Sequence, residues 1–149
     1  METTLRQMKP GCASEARRLA EIHESAPQQW LLNYTPSHET IIQRMDEFLK
    51  PGQEDQRLLM IAEHNGEIFG FHWVDKEGQA ALIKSLWVAE SHRHTGLAAA
   101  LKSTGEGWAK SRQLKEMITS VHFTNKRMLD INIRNGFAPG FVQMTKPLR

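Results

Sequence analysis

The residues best suited to chemistry lie in one run, Leu86-Trp87-Val88-Ala89-Glu90-Ser91-His92-Arg93-His94-Thr95-Gly96-Leu97-Ala98. An apolar strand leads into a short polar loop, and a helix opens at Gly96. Amides in the first turn of a helix have no intrahelical acceptor, and the aligned peptide dipoles favour an anion there. Gly96 and Ala98 are small enough to let a phosphate approach the backbone, while His92, Arg93 and His94 add positive or hydrogen-bonding side chains. This chemistry suits a pyrophosphate. The Gly-Lys-Ser/Thr ending of a Walker loop is absent, as is the full three-glycine spacing of a dinucleotide fingerprint.

Other reactive residues are sparse. Cys12 is the only cysteine, so no intrachain disulfide or thiolate metal cluster is expected, and it reads as a packing residue. His92-Arg93-His94 has no acidic or cysteine partner at metal-ligand spacing, so no metal is expected. The 19 basic and 17 acidic residues leave a net charge of +2, too mild to argue for nucleic acid. No apolar run approaches the roughly 20 residues that cross a bilayer. The N-terminus has no signal-peptide core, and the expected compartment is the cytoplasm.

A chain of 149 residues suits one domain, spanning 1–149. A first strand is expected at 4–8. Ser14 caps a helix whose Ala16, Leu19, Ala20 and His23 share a face, and a loop with Trp30, Leu31, Leu32 and Tyr34 follows. Thr35-Pro36 reads as the start of a second helix, with Ile41, Ile42, Met45, Phe48 and Leu49 inward and Pro51-Gly52 as its stop. Strands at 58–62 and 68–74 flank His64-Asn65-Gly66-Glu67, a hairpin signal because Asn-Gly tolerates positive φ. A turn at Asp75-Lys76-Glu77-Gly78 leads to a strand at 80–88. A helix at 96–112 turns Leu97, Ala100, Leu101 and Trp108 inward and is weakened by Gly105 and Gly107. A strand at 117–123, a helix at 125–135 and a strand at 137–145 complete the chain. The fold class is α/β with a mixed, mainly antiparallel sheet.

Arg93-x-x-Gly96-x-Ala98 resembles the Gln/Arg-x-x-Gly-x-Gly/Ala signature of the GNAT superfamily of N-acetyltransferases. It follows an apolar strand ending Leu86-x-Val88, as in that family. Val121-x-x-x-Asn125, Met128 and Asn132-x-x-x-Gly136-Phe137 resemble the family's last strand and helix. Together the motifs cover 80–148; the first half agrees in element order only. The resemblance implies a central sheet splayed between its fourth and fifth strands, flanked by about four helices. It implies acetyl-CoA as co-substrate in that splay, with the pyrophosphate on the backbone of Arg93, His94, Thr95, Gly96, Leu97 and Ala98. The pantetheine arm would run along Leu86, Trp87 and Val88, pairing with backbone groups of Leu86 and Val88. Asn125 and Asn132 would bond the arm, and the Val88 amide would polarise the thioester carbonyl. Trp30 and Tyr34 would line the acceptor pocket. A CoA phosphate would account for the basic Lys126, Arg127 and Arg134.

Two departures from the family shape the expected chemistry. Many members place a tyrosine acid where this chain has Asn132, and Tyr34 is its only tyrosine. An alkyl thiolate is a tolerable leaving group without one. The strand before the signature offers Leu82 and Lys84 where some members carry a base, yet an ammonium acceptor must lose a proton before it attacks. A regular hairpin sets His72 opposite Leu82, on the face carrying Lys84, which makes His72 the expected base. His122 is the second candidate, and Lys84 is a candidate contact for an anionic acceptor. The expected function is acetyl transfer to a small-molecule or peptide amine by direct attack in a ternary complex, with no nucleic-acid or membrane partner. A homodimer stays open. The alternative is a catalytically silent acyl-CoA-binding sensor or regulatory module.

Overall fold

A computed structural model describes residues 2–29 and 31–148. Strands β1 (Thr4–Gln7), β2 (Arg57–His64), β3 (Glu67–Glu77), β4 (Ala80–Val88) and β5 (Glu116–Thr119) form one sheet in the order β1-β2-β3-β4-β5. Neighbours are antiparallel except β4 and β5, which run parallel. The β2–β3 hairpin turns on Asn65 at φ 50° and Gly66 at φ 79°, the two positive angles that Asn-Gly supplies cheaply.

Side chains alternate across β3, and the helices cover both faces. Helices α1 (Ala13–Glu24) and α2 (His38–Leu49) bury Ala16, Leu19, Ala20 and Phe48 against Ile61, Phe71 and Trp73. Helix α3 (Leu97–Ser111) buries Leu97, Leu101 and Trp108 on the other face, against Ala62, Val74 and Ala81. Helix α4 (Lys126–Arg134) follows β5. Glycines 105 and 107 do not end α3, because tertiary packing outweighs a propensity cost of about 1 kcal/mol each.

Four local expectations are corrected. Helix α2 is capped by Ser37, whose Oγ accepts from the Thr40 amide at 3.1 Å, and not at Thr35-Pro36. Cys12, not Ser14, is the N-cap residue of α1. β5 ends at Thr119, short of the strand expected to 123. The 137–145 strand does not form, and Phe141, Val142 and Met144 are exposed. Pro139 and Gly140 interrupt that stretch, removing one ladder donor and favouring a bend.

The most consequential correction is one of register. Trp73 pairs with Ser85 but Val74 pairs with Ile83, so the ladder steps over Lys84 in a bulge. The expected turn at Asp75-Lys76-Glu77-Gly78 is also corrected: β3 runs on to Glu77 and the hairpin turns at 78–79, which moves the register by three residues, and the bulge adds one, so His72 sits opposite Leu86, not Leu82. An extra residue reverses the in–out sense of a strand. Lys84 accordingly lies with Trp73, its Nζ 5.7 Å from the ring centroid, whereas His72 packs towards α3 beside Gly105. The two were expected on one face and lie on opposite ones.

Candidate active site

β5 accompanies β4 only from Ala80↔Glu116 to Ile83↔Thr119. Beyond Ile83 the two diverge, which is the expected splay. The Ala89 amide donates to the Phe69 carbonyl at 2.8 Å. Bonded and non-bonded pairs alternate in an antiparallel ladder, so Phe71–Trp87 is bonded while Gly70–Val88 and His72–Leu86 are not. The peptide groups of Leu86 and Val88 therefore point away from β3, into the gap left by β5. Their side chains pack on α3, and Trp87 packs with the α1–α2 core. A cavity of about 410 Å³ lies at this gap. Ile83, Lys84, Ser85 and Leu86 line it from β4, Ala99, Lys102, Ser103 and Glu106 from α3, and Met128 and Asn132 from α4. Ala26 and Gln29 close it from the turn after α1.

The β4–α3 connection is built to leave amides free. A single 3-10 turn at Glu90–His92 is followed by His94 at φ 64° and then by Gly96 at φ 85°. Space around Gly96 is open, so the backbone angle is what demands glycine. Gly96 is the N-cap residue and offers no side-chain cap, leaving the first-turn amides of Leu97, Ala98 and Ala99 without intrahelical acceptors. Arg93 folds its Nε onto the Val88 carbonyl at 3.2 Å, and Thr95 Oγ1 donates to the His92 carbonyl at 2.5 Å. His92, expected to add to the loop's outward-facing polar groups, is instead buried and stacked on Phe69 at 3.9 Å. Its Nδ1 meets Ser91 Oγ at 2.8 Å. It pins the loop from beneath.

His72 has no solvent exposure, and its Nδ1 lies 2.9 Å from the Ser85 carbonyl. A carbonyl only accepts, so Nδ1 carries the proton and Nε2 holds the lone pair. Nε2 has no partner among the described residues. Burial pushes the imidazole below its ordinary pKa and the nearby Lys102 charge adds to this, so the ring is neutral. Nε2 points at Gly105. A Cβ there would lie 2.8 Å from His72 Cδ2 and closer still to Nε2, so only glycine lets α3 cross above the ring.

The remaining expected residues are distributed unevenly. Asn125 lines the cavity but commits its Oδ1 to the Met128 amide at 3.2 Å as the α4 N-cap, leaving its NH₂ to donate. Asn132 is buried, lines the cavity, and holds the chain's return through a 2.9 Å bond from the Phe137 amide to its carbonyl. His122 is an exposed lining residue, with Nδ1 2.7 Å from Thr124 Oγ1 and its ring stacked on Phe123 at 4.9 Å. Tyr34 stays out of the lining and accepts at its carbonyl from Gln28 Nε2 at 3.0 Å. Trp30 lies outside the described residues. Sequence reasoning missed Ala26, Gln29, Lys102, Ser103 and Glu106. The α3 residues had a readable signal, a polar stripe one turn apart beside the buried Leu97–Leu101–Trp108 row. The α1 turn had none.

Among the described residues no three His, Cys, Asp or Glu side chains gather to hold a metal ion, and no helix is long and apolar enough to cross a membrane. A model of the acetyltransferase (GNAT) family matches residues 19–137. Several solved structures share the fold. The PaiA N-acetyltransferase of Thermoplasma acidophilum, in complex with coenzyme A, is 19% identical with a TM-score of 0.71, over 96% of this chain and 94% of that one. AAC(6')-Iy, in complex with the bisubstrate analogue CoA-S-monomethyl-acetylneamine, is 17% identical with a TM-score of 0.71, over 100% and 99%. Glucosamine-6-phosphate N-acetyltransferase of Arabidopsis thaliana is 18% identical with a TM-score of 0.65, over the full length of both chains. No curated protein matches the chain.

Proposed function

The chain belongs to the acetyltransferase (GNAT) family, and from that premise we propose that it moves the acetyl group of acetyl-CoA to a primary amine by direct attack in a ternary complex. The observation that carries this reading is the pair of outward-facing peptide groups at Leu86, which lines the cavity where β4 and β5 part, and at Val88 two residues further along the same edge. Those groups match an arm that binds as an added strand. The free amides of Leu97, Ala98 and Ala99 receive the pyrophosphate at the start of α3. Asn125 Nδ2 and the Asn132 amide bond the arm from α4.

The Val88 amide donates to the thioester carbonyl oxygen as charge builds there. The amine nitrogen attacks the carbonyl carbon, the C–S bond breaks, and the thiolate leaves to be protonated by water. His72, neutral and with Nε2 unpartnered among the described residues, is the base in this reading. Holding both substrates in one gap supplies much of the acceleration. The relatives whose names state a chemistry include one that acetylates an amino sugar phosphate and one seen with a CoA-linked amine. The test is release of free thiol from acetyl-CoA that depends on added amine.

One observation favours a second reading. By the family resemblance, Asn132 stands where many members carry a tyrosine acid, and it cannot give up a proton. A silent acyl-CoA-binding module would bind acetyl-CoA and raise the melting temperature, but would release no thiol with any amine.

A further inference from the structure

Among the described residues, the cavity lining carries two lysines, Lys84 and Lys102, against a single carboxylate. That carboxylate, Glu106, belongs to α3. Lys84 lines the cavity from the Trp73 face of the sheet, the face that α1 covers, and Ala26 and Gln29 of the turn after α1 line it too. The bulge in β4 puts it there: the extra residue turns Lys84 away from His72 and lays its ammonium over the Trp73 ring. Arg44, the other cation over that ring, is neutralised by Glu24 at 2.7 Å and by Glu47. Lys84 forms no ion pair among the described residues. Asp75, the acid that feels its charge, is turned to Trp73 Nε1 at 2.7 Å, and burial pushes its carboxyl up.

We propose that this side of the cavity selects an amine that also carries an anionic group, a carboxylate or a phosphate, with Lys84 binding the anion while the amine reaches the Leu86–Val88 gap. This rests on the acetyltransferase reading and names its substrate class. The span fits a small molecule. Lys84 and Leu86 are two residues apart on one strand, about 7 Å, and a lysine stem spans the rest. A polycationic amine meets the wrong sign here, because the two lining lysines outnumber the single carboxylate.

The experiment compares matched pairs. Each pair is one amine with and without its anion: an α-amino acid against its carboxamide, and glucosamine-6-phosphate against glucosamine. An aminoglycoside serves as the polycation. Amine-dependent thiol release should give kcat/KM at least about 10-fold higher for the anion-bearing member of one pair, the scale of one charge-assisted hydrogen bond. K84Q should erase that preference through KM, with kcat for the anionic amine within about twofold. K84E should reverse it. A preference for the neutral member or the polycation overturns the proposal, as does an unchanged KM in K84Q.

If no amine releases thiol, transfer itself fails, and calorimetry on the CoA-saturated protein with the same pairs decides the matter separately. Anion-preferring binding that K84Q removes upholds the site. Equal binding within each pair overturns it.

Discussion

Replacing Gly105 by alanine sets two known effects against each other. In an open helix the change would stabilise by about 1 kcal/mol through propensity alone. Here the new Cβ would sit 2.8 Å from His72 Cδ2, nearer still to Nε2, and 3.3 Å from Val74 Cγ2. The ring cannot swing aside, since it has no exposure and is tied through Nδ1 to the Ser85 carbonyl. Overpacking of a tight core costs about 1–3 kcal/mol, and a contact this short on a fixed ring belongs in the upper half of that range. The net result is a loss of about 1–2 kcal/mol, or a melting temperature lower by roughly 2–8 °C for a chain this size. Gly107→Ala is the control, because nothing lies within 4 Å of its Cβ; it should gain up to about 1 kcal/mol. Urea unfolding of both variants, and of Gly105→Ala combined with His72→Ala, gives the coupling directly. In the double variant the alanine should no longer be harmful. Gly105→Ala as stable as Gly107→Ala would refute the packing of His72 beneath α3.

Gly96→Glu should abolish the thermal shift produced by acetyl-CoA, whereas Gly96→Ala, which carries the strain at φ 85° without the charge, should lower stability by about 1 kcal/mol and keep part of the shift. Asn132→Ala should weaken acetyl-CoA binding by about 1 kcal/mol, measured by calorimetry, while turnover at saturation changes little. His72→Gln should cut turnover by about 10²-fold near neutral pH. Because burial lowers the His72 pKa, the wild-type rate should be flat above the ordinary histidine range and fall only in acid, a fall the variant lacks. His23, packed edge-on against Trp73 at 4.9 Å, is held at about 4 by burial and by Arg44, against an ordinary 6.5. Above 6.5 neither state binds the proton and the stability is whole; between 6.5 and about 4 the unfolded chain alone gains it. Up to about 3 kcal/mol should be lost across that window, and His23→Phe should flatten this part of the acid unfolding curve.

What could be read from the sequence was what local chemistry decides. Asn65-Gly66 announces its hairpin because few other pairs accept two positive φ angles. Gly96 announces the loop for a similar reason, whereas the parting of β4 and β5 was implied only by the family resemblance that the motifs on either side carry. The errors arose where tertiary packing decides. Asp75-Lys76-Glu77-Gly78 reads as a turn, yet β3 runs on to Glu77, and a bulge then adds one residue without any residue type that betrays it, so the faces of His72 and Lys84 could not be assigned by alternation. His92 looked outward because its neighbours are polar, and only the stacking on Phe69 turns it in. The stretch at 137–145 has strand-forming residues, but strand formation there needs a partner edge and tolerance of Pro139-Gly140. Ala26 and Gln29 join the cavity through the placement of α1, which no spacing within the chain encodes.

The most direct test of the central claim is thiol release from acetyl-CoA by the purified protein across a panel of primary amines, with the product identified by mass. The account predicts release that saturates in both substrates, matched one for one by an N-acetylated amine, and absent without amine. Binding of acetyl-CoA with no amine-dependent release would contradict it, and would leave the chain as a binding module.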